Sequence, residues 1–151
     1  MAMPDLALWL GAHGLTALFV SAFVSATLLP GGSEVLLGAM VAQQQWSLSS
    51  LLGWATLGNT LGSMTTFALG WWARRHKAPE DFTGRGEQTA LSWLQLHGHW
   101  ALLLAWAPIV GDGLCLLAGW LKMAPLRACL LIALGKLARY GTVALLAGQF
   151  F

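Results

Sequence analysis

Charged residues are scarce in this sequence: Lys, Arg, Asp and Glu make up 9% of its 151 residues. A soluble domain carries about 25%, so the composition indicates a protein whose solvent is largely lipid. The net charge of +2 is small, and no basic stripe with interleaved aromatic residues is present, so no nucleic-acid partner is expected. The two cysteines, Cys115 and Cys129, lie in apolar runs, where free and unreactive thiols are expected.

The sequence also lacks the motifs of common catalytic and cofactor sites. It contains no Gly-x-Ser-x-Gly, no His-Glu-x-x-His, no cysteine cluster and no phosphate-binding loop with lysine. We therefore expect no catalytic residues, no metal site and no cofactor, and we do not expect an enzyme. A proteolytic carboxylate pair formed by Glu34 and Asp112 is disfavoured by the cations expected beside it, because a shared-proton dyad needs an uncompensated pair.

Long apolar runs and tryptophan are abundant instead. Apolar residues make up 57% of the chain, and the run 46–72 contains no charge at all. Runs of this length are typical of membrane spans. Nine Trp against one Tyr fits anchoring at membrane interfaces by indole rings. The sequence thus predicts an all-α integral membrane protein with a single membrane domain over residues 1–151.

Two short motifs place a carboxylate inside apolar sequence. Glu34 follows Pro30 by four residues, and Asp112 follows Pro108 by the same spacing. The apolar stretches 34–42 and 113–121 are too short to cross, because each is only about 13 Å long as a helix against a hydrocarbon core of ~30 Å. We predict two re-entrant hairpins with the prolines at their tips. Ser33 is a candidate N-cap for the first outgoing helix.

The two motifs belong to halves that repeat. Repeat one covers about 6–73, with a first segment interrupted at 11–14 and a full span at 48–72; a cytoplasmic loop covers 74–88; repeat two covers about 89–149. One full crossing per half inverts the second copy, which is typical of transporters. This arrangement puts the exposed Lys and Arg residues on one face of the membrane, and the positive-inside rule makes that face cytoplasmic.

Charged residues also occur near the middle of the last predicted span. A lone charge at the bilayer centre costs roughly 2.5–3.5 kcal/mol, so four would cost about 10–14 kcal/mol unless they were paired. We therefore predict one midplane cluster that acts as a substrate or proton site, formed by Glu34, Asp112, Lys136 and Arg139. The expected supporting residues are Asn59, Tyr140, Pro30 and Pro108.

The stretches 25–35, 111–120 and 134–140 resemble the DedA membrane proteins, also called the VTT or SNARE-associated family, and within it the small YqaA-like branch. The resemblance covers about residues 16–148. It implies re-entrant hairpins with inverted symmetry, a bacterial inner-membrane location and a role in membrane homeostasis. Some members of that family are implicated in moving phospholipid or polyprenyl phosphate across the bilayer with proton-motive force. The acid that is important in the family's first hairpin corresponds to Glu34.

The second hairpin departs from the family pattern Arg-Phe-x-Pro-x-x-Arg. Ala105 and Gly111 stand at the two Arg positions, and Lys136 and Arg139 are candidates to supply the missing cations. Two functions stay open at this stage. One is transporter-like translocation of an anionic lipid or polyprenyl phosphate, with proton coupling undetermined. The other is a non-transporting membrane-assembly or partner-binding role with a structural salt-bridge cluster. A homodimer is expected to help enclose a pathway in so short a chain.

Overall fold

The computed structural model describes residues 3–27, 32–76, 85–107 and 110–150. Over these residues the chain forms helices and short connections, with no strand. The all-α fold class predicted from the sequence is therefore confirmed for the described residues. In chain order the elements are α1 (Met3–Thr27), α2 (Gly32–Gln43), α3 (Leu48–Ala73), α4 (Arg85–His97), a 3-10 helix (Gly98–Trp106), α5 (Val110–Trp120) and α6 (Pro125–Phe150).

The beginning of the chain differs from the prediction. The first segment is not interrupted at 11–14, because α1 runs continuously from Met3 to Thr27. Gly14 packs against Met40 and Trp46, and a Cβ at this position would clash with the Trp46 ring. The glycine thus permits close packing and does not end the helix; tertiary contact outweighs its low intrinsic helix propensity of about 1 kcal/mol.

The predicted loop 74–88 is also shorter at its C-terminal end, because α4 begins at Arg85. Leu94 of this helix is buried and anchors its C-terminal half. The helix extends from there toward its N-terminus, because each added helical residue gains one backbone hydrogen bond. α4 ends at His97, Gly98 has a φ of +60°, and a 3-10 helix follows. Residues 77–84 lie outside the described residues.

The two short helices match the predicted outgoing limbs. α2 has 12 residues and α5 has 11, which at 1.5 Å per residue gives lengths of about 18 and 16 Å. Each is about half of a ~30 Å hydrocarbon core. The predicted tip residues Pro30 and Pro108 lie outside the described residues.

The two long helices, α3 and α6, are antiparallel. Leu48 at the start of α3 and Gly148 at the end of α6 line one groove, while Trp72 and Pro125 line a second groove at the opposite end. Each long helix has 26 residues, or about 39 Å as an α-helix. Both therefore have the length of a membrane crossing.

The α1–α2 pair forms a hairpin that opens at the end of the bundle where α3 begins. Gly14 on the incoming helix contacts Met40 and Trp46 on the outgoing side. Close to the turn, the Ser33 backbone N–H donates to Ser25 Oγ at 3.1 Å. The two helices of this pair therefore lie side by side; residues 28–31, which connect them, lie outside the described residues.

The 3-10 helix and α5 form a second hairpin that opens at the other end. Gly98 lines a groove with Arg127, near the start of α6. At the far end of α5, the Arg74 guanidinium donates to the Trp120 carbonyl at 3.2 Å, next to the end of α3. The two pairs thus open at opposite ends of the bundle, and each short helix packs on the long helix of the other half, α2 on α6 and α5 on α3.

Two apolar clusters hold the bundle together. One joins α1, α2, α3 and α6 and includes Leu18, Leu37 and Tyr140. The other joins the second half of the chain to α3 and includes Phe67 and Trp120. Because α3 and α6 contribute to both clusters, they carry the packing from one end of the bundle to the other.

Many large apolar side chains remain on the outer surface, as a lipid solvent requires. On α6 they include Leu126, Leu130, Leu134 and Leu145, each more than half exposed. Among the described residues, one helix, Pro125–Gln149, is long and apolar enough by itself to cross a membrane. α3 has the length, but its Ser, Thr, Asn and Gly residues make it less apolar.

Close approach between helices depends on glycine at particular positions of α3. A Cβ at Gly58 would run into the Phe19 carbonyl, and one at Gly62 would lie 2.6 Å from the Phe23 carbonyl. Gly58 and Gly62, which have the Gly-x-x-x-Gly spacing, therefore pack directly on the α1 backbone. Gly70 and Gly119 do the same where α3 meets α5.

We expect Gly58→Ala to destabilise the protein by about 1–3 kcal/mol, because the added methyl group forces α1 and α3 apart. The matched control is Gly53→Ala on the same helix, where nothing lies within 4 Å of the new Cβ; it should be neutral or slightly stabilising, by up to ~1 kcal/mol. Thermal unfolding in detergent measures both. Equal stabilities of the two variants would contradict the close α1–α3 contact.

Candidate functional site

The two acids sit at equivalent positions of the two short helices. Glu34 lies in the first turn of α2, and Asp112 lies in the first turn of α5. A carboxylate at this position interacts favourably with the positive end of the helix dipole. Because both helices begin inside the bundle, both carboxylates are placed near its middle and not at an end.

The two cations lie on one helix, α6. Lys136 and Arg139 are three residues apart, so they project from the same face. The Lys136 side chain is 1% exposed, and that of Arg139 is 13% exposed. A cation so deeply buried requires a counter-charge nearby.

The structure brings these four residues together as two ion pairs. Lys136 Nζ lies 3.5 Å from Asp112 Oδ1, and the Arg139 guanidinium pairs with the Glu34 carboxylate. The cluster is therefore neutral overall, with each hairpin contributing one acid and α6 contributing both cations. The role of the four residues as a substrate or proton site stays a prediction.

A hydrogen-bond network extends from the Glu34 pair. The hydroxyls of Ser33 and Tyr140 are 2.8 Å apart, and the Ser33 backbone is in turn tied to Ser25. Tyr140 is fully buried and lies near enough to Asp112 to sense its charge. Tyr140 thus lies beside the Glu34 end of the cluster, and its predicted supporting role stays a prediction.

For two members of this network, the structure differs from the sequence prediction. Ser33 has another role than the predicted one, and Ser25 had no predicted role. Ser33 is not the N-cap of α2, because α2 begins at Gly32 and the Ser33 hydroxyl is directed at Tyr140. Ser25 was not singled out from the sequence. The available signal for Ser25 was its position as a small polar residue shortly before the predicted hairpin tip. Its partner, the Ser33 backbone, is identified only by the fold.

Asn59 is buried at the contact between α3 and its neighbours. Its Nδ2 donates to the Ala22 carbonyl at 2.9 Å, and its amide lies beside the Tyr140 hydroxyl. Among the described residues its Oδ1 has no hydrogen-bond partner, and the same holds for the hydroxyls of Thr56 and Thr60, while the Ser63 hydroxyl lies beside the Cys115 thiol. With spacings of three and four residues, these oxygens form a stripe along α3, which we call the α3 polar stripe.

The other polar residues of α3 behave differently. The hydroxyls of Thr65 and Thr66 donate to the carbonyls of Leu61 and Gly62 in their own helix. The fold thus separates the buried Ser63, whose hydroxyl faces the Cys115 thiol, from threonines that are satisfied within their own helix.

Arg139 is also reached from the outer surface of the bundle. An open groove of about 390 Å³ is lined by Ala138, Arg139, Thr142 and Val143 of α6. The groove is apolar apart from Arg139 and Thr142. The Glu34–Arg139 pair is thus near the lipid-facing side, while Lys136 is enclosed.

An all-helical bundle with an apolar exterior and compensated charges inside defines a helical membrane protein. Over 133 residues the chain is 44% identical to the inner membrane protein YqaA of Escherichia coli K12, covering 88% of this chain and 90% of the relative. The inner membrane protein YqaA of Shigella flexneri matches with the same values. An uncharacterized protein of Haemophilus influenzae is 38% identical over 148 residues, covering 92% of this chain and 90% of that protein.

The chain belongs to the YqaA family of inner membrane proteins. The predicted YqaA-like character and the inner-membrane location are thereby confirmed. No family profile matches the chain, so the link to the wider DedA family rests on the motifs quoted above. No solved structure matches it.

The Lys136–Asp112 pair yields a double-mutant test. We expect Lys136→Met and Asp112→Asn each to lower stability by about 2–4 kcal/mol, since removing one partner leaves a buried charge or polar group uncompensated. The double variant should regain much of that loss, because no charge is left unpaired. Chemical unfolding in detergent, with Lys122→Met as an exposed control, measures the coupling energy. Additive losses would show that the two side chains do not interact.

Proposed function

We propose that this inner membrane protein is transporter-like and moves the anionic head group of a lipid, or of a polyprenyl phosphate, across the bilayer. The observation that carries the proposal is the pair of ion pairs formed where two opposed hairpins meet. Buried ionisable groups at such a position are typical of substrate and ion pathways. Binding and release of an anion at this cluster would support membrane homeostasis without a catalytic step.

The proposed membrane architecture is an inverted repeat of a re-entrant hairpin and a full transmembrane helix. This architecture is supported by the way in which each short helix packs on the long helix of the other half: α2 lies on α6, and α5 lies on α3. Each hairpin also opens at the end opposite to the other. In transporters, such broken elements meet at the midplane around the substrate site.

The orientation follows from the distribution of cations. The described Arg74, Arg75, Lys122 and Arg127 all lie at the end where α3 finishes and α6 starts. The other end carries Gln43, Gln44 and Gln149. By the positive-inside rule, the end with the cations, which we call the basic end, and the loop 74–88 are cytoplasmic.

The chemistry we propose is exchange of counter-ions. At rest the carboxylates of Glu34 and Asp112 neutralise Arg139 and Lys136. A phosphate that replaces a carboxylate would be held by a cation, and protonation of the released acid would keep the cluster near neutral. Helix N-termini at the starts of α2 and α5 also favour an anion.

Two further features support a polar path. The groove beside Arg139 offers lateral access from lipid to one ion pair. The α3 polar stripe supplies oxygens, among them Asn59 Oδ1, that have no partner in the part of the chain that the structure describes, and leaving a buried polar group unpaired costs about 1–3 kcal/mol. Such groups are ready to bond to water or to a polar head group in transit. The resemblance to DedA proteins supports the same substrate class, and a homodimer would complete the enclosure.

The alternative is a non-transporting membrane-assembly or partner-binding protein. One observation favours it: both ion pairs are complete, so the cluster is neutral without any ligand. In that case the charges would serve to join the two hairpins to α6. The experiments below separate the two functions.

We expect the wild-type chain in liposomes to accelerate the exchange of a lipid phosphate between leaflets. Glu34→Gln and Arg139→Gln should each reduce the rate at least about tenfold, because a charge-assisted hydrogen bond contributes roughly 1.5–3 kcal/mol. Arg127→Gln, an exposed cation outside the cluster, is the control. Rates that match wild type in both cluster variants would rule out the transport proposal.

The same variants test the structural alternative through a different readout. If the charges only hold the hairpins, Glu34→Gln lowers abundance and melting temperature, and any residual rate scales with the amount of folded protein. If they bind substrate, protein that is purified in its folded form is still slow. Measuring the rate per folded molecule therefore separates the two functions.

The proposed topology predicts opposite labelling of the two ends. In a variant without Cys115 and Cys129, a cysteine introduced by Arg75→Cys should react with an impermeant maleimide only from the cytoplasmic side. One introduced by Gln45→Cys should react only from the periplasmic side, because α3 separates the two positions by about 39 Å. Labelling of both from the same side would contradict a membrane-spanning α3.

A further inference from the structure

An open groove lies on the outer surface at the basic end, far from the ion-pair cluster. It has a volume of about 390 Å³ and is lined mainly by apolar side chains from the last three turns of α3, with Pro125 of α6 closing one side. We call it the basic-end groove. Its apolar lining includes Phe67, Ala68 and Trp71.

Two cations flank this groove. Arg75 is itself part of the lining, and Lys122 Nζ lies 5.8 Å from the centre of the Trp71 ring. Both side chains are exposed. Arg74, by contrast, is turned away, because its guanidinium stacks on Trp120 and donates to the Trp120 carbonyl.

The charge at the groove is not balanced by the carboxylates that the structure describes. Among described side chains, the carboxylates are Glu34 and Asp112, and both are engaged in the ion-pair cluster. The groove therefore combines an apolar floor, cations at its mouth and Trp71 and Trp72 near the membrane surface. Basic pockets between transmembrane helices on the cytoplasmic side recognise anionic head groups in this way.

We propose that the basic-end groove is a binding site for one anionic phospholipid. The acyl chain lies along Phe67 and Ala68, and the phosphate is bound between Arg75 and Lys122. A neutral zwitterionic lipid would fit the apolar floor but would gain less from the two cations. This site depends on the inner-membrane location of the chain and not on translocation at the ion-pair cluster.

The test uses the full-length protein in detergent, titrated with phosphatidylglycerol or with phosphatidylcholine of the same acyl chains and followed by native mass spectrometry. Wild type should bind phosphatidylglycerol more tightly. Arg75→Gln should weaken that binding about fivefold, as expected for one cation near a phosphate, and leave phosphatidylcholine binding unchanged. Arg127→Gln, which removes a cation of the basic end outside this groove, should have little effect.

A second variant blocks the groove without changing charge. Ala68 is exposed, so Ala68→Phe fills the groove without disturbing the core, and it should weaken the binding of both lipids. Equal affinity of wild type for the two lipids, or equal losses in Arg75→Gln and Arg127→Gln, would overturn the proposal in favour of a non-specific basic surface. A two-chain species lost in Ala68→Phe would overturn it in favour of a second copy of the chain.

Transport measurements keep this inference separate from the proposed function. Suppose that Arg75→Gln loses its selectivity for phosphatidylglycerol while Glu34→Gln exchanges lipid as fast as wild type. That result would support the groove and reject the translocation mechanism. Retained selectivity in Arg75→Gln, together with slower lipid exchange in Glu34→Gln, would reject only the groove.

Discussion

The rest of the structure depends on how four charges are paired inside an apolar bundle. Lys136 is almost fully buried, and a cation in a medium of low dielectric is tolerated only beside its counter-charge. Its partner Asp112 belongs to a short helix that begins inside the bundle. The same holds for Arg139 and Glu34. Each ion pair therefore joins the first turn of a short helix to α6.

Packing in lipid supplies the remaining constraint. Because apolar side chains gain little by leaving lipid to contact one another, helices in a membrane associate through close backbone contact and buried polar bonds. Gly58 and Gly62 bring α3 onto α1, and Gly70 with Gly119 brings α3 onto α5. α3 thus holds both hairpins in register, and this register positions the acids opposite the cations of α6.

The two kinds of site proposed here use charge differently. In the ion-pair cluster the charges are compensated and a ligand must compete with a carboxylate. At the basic end, Arg75 and Lys122 are exposed and a ligand meets them directly. The ion-pair cluster therefore suits the exchange of a ligand, and the basic end suits its retention. A lipid bound at the basic end need not be one that is moved across the bilayer.

Much of the fold was readable from composition and spacing. The scarcity of charge, the long apolar runs and the short stretches after Glu34 and Asp112 predicted helices and two half-length limbs, because length and solvent leave few other arrangements. The boundary errors have local causes. The sequence predicts a break at 11–14, but Trp46 packs on Gly14 inside a continuous helix. Helix α4 begins at Arg85 because a buried apolar turn further along stabilises it.

The sequence by itself determined that the chain is a helical membrane protein and that its buried acids and cations must be paired inside it. Only the tertiary structure decided that Glu34 pairs with Arg139 and Asp112 with Lys136. The two cations are three residues apart on one face of α6, so no local pattern distinguishes them as partners. The contact of Ser33 with Tyr140 was likewise invisible, because its geometry depends on how α2 lies against a helix about a hundred residues away.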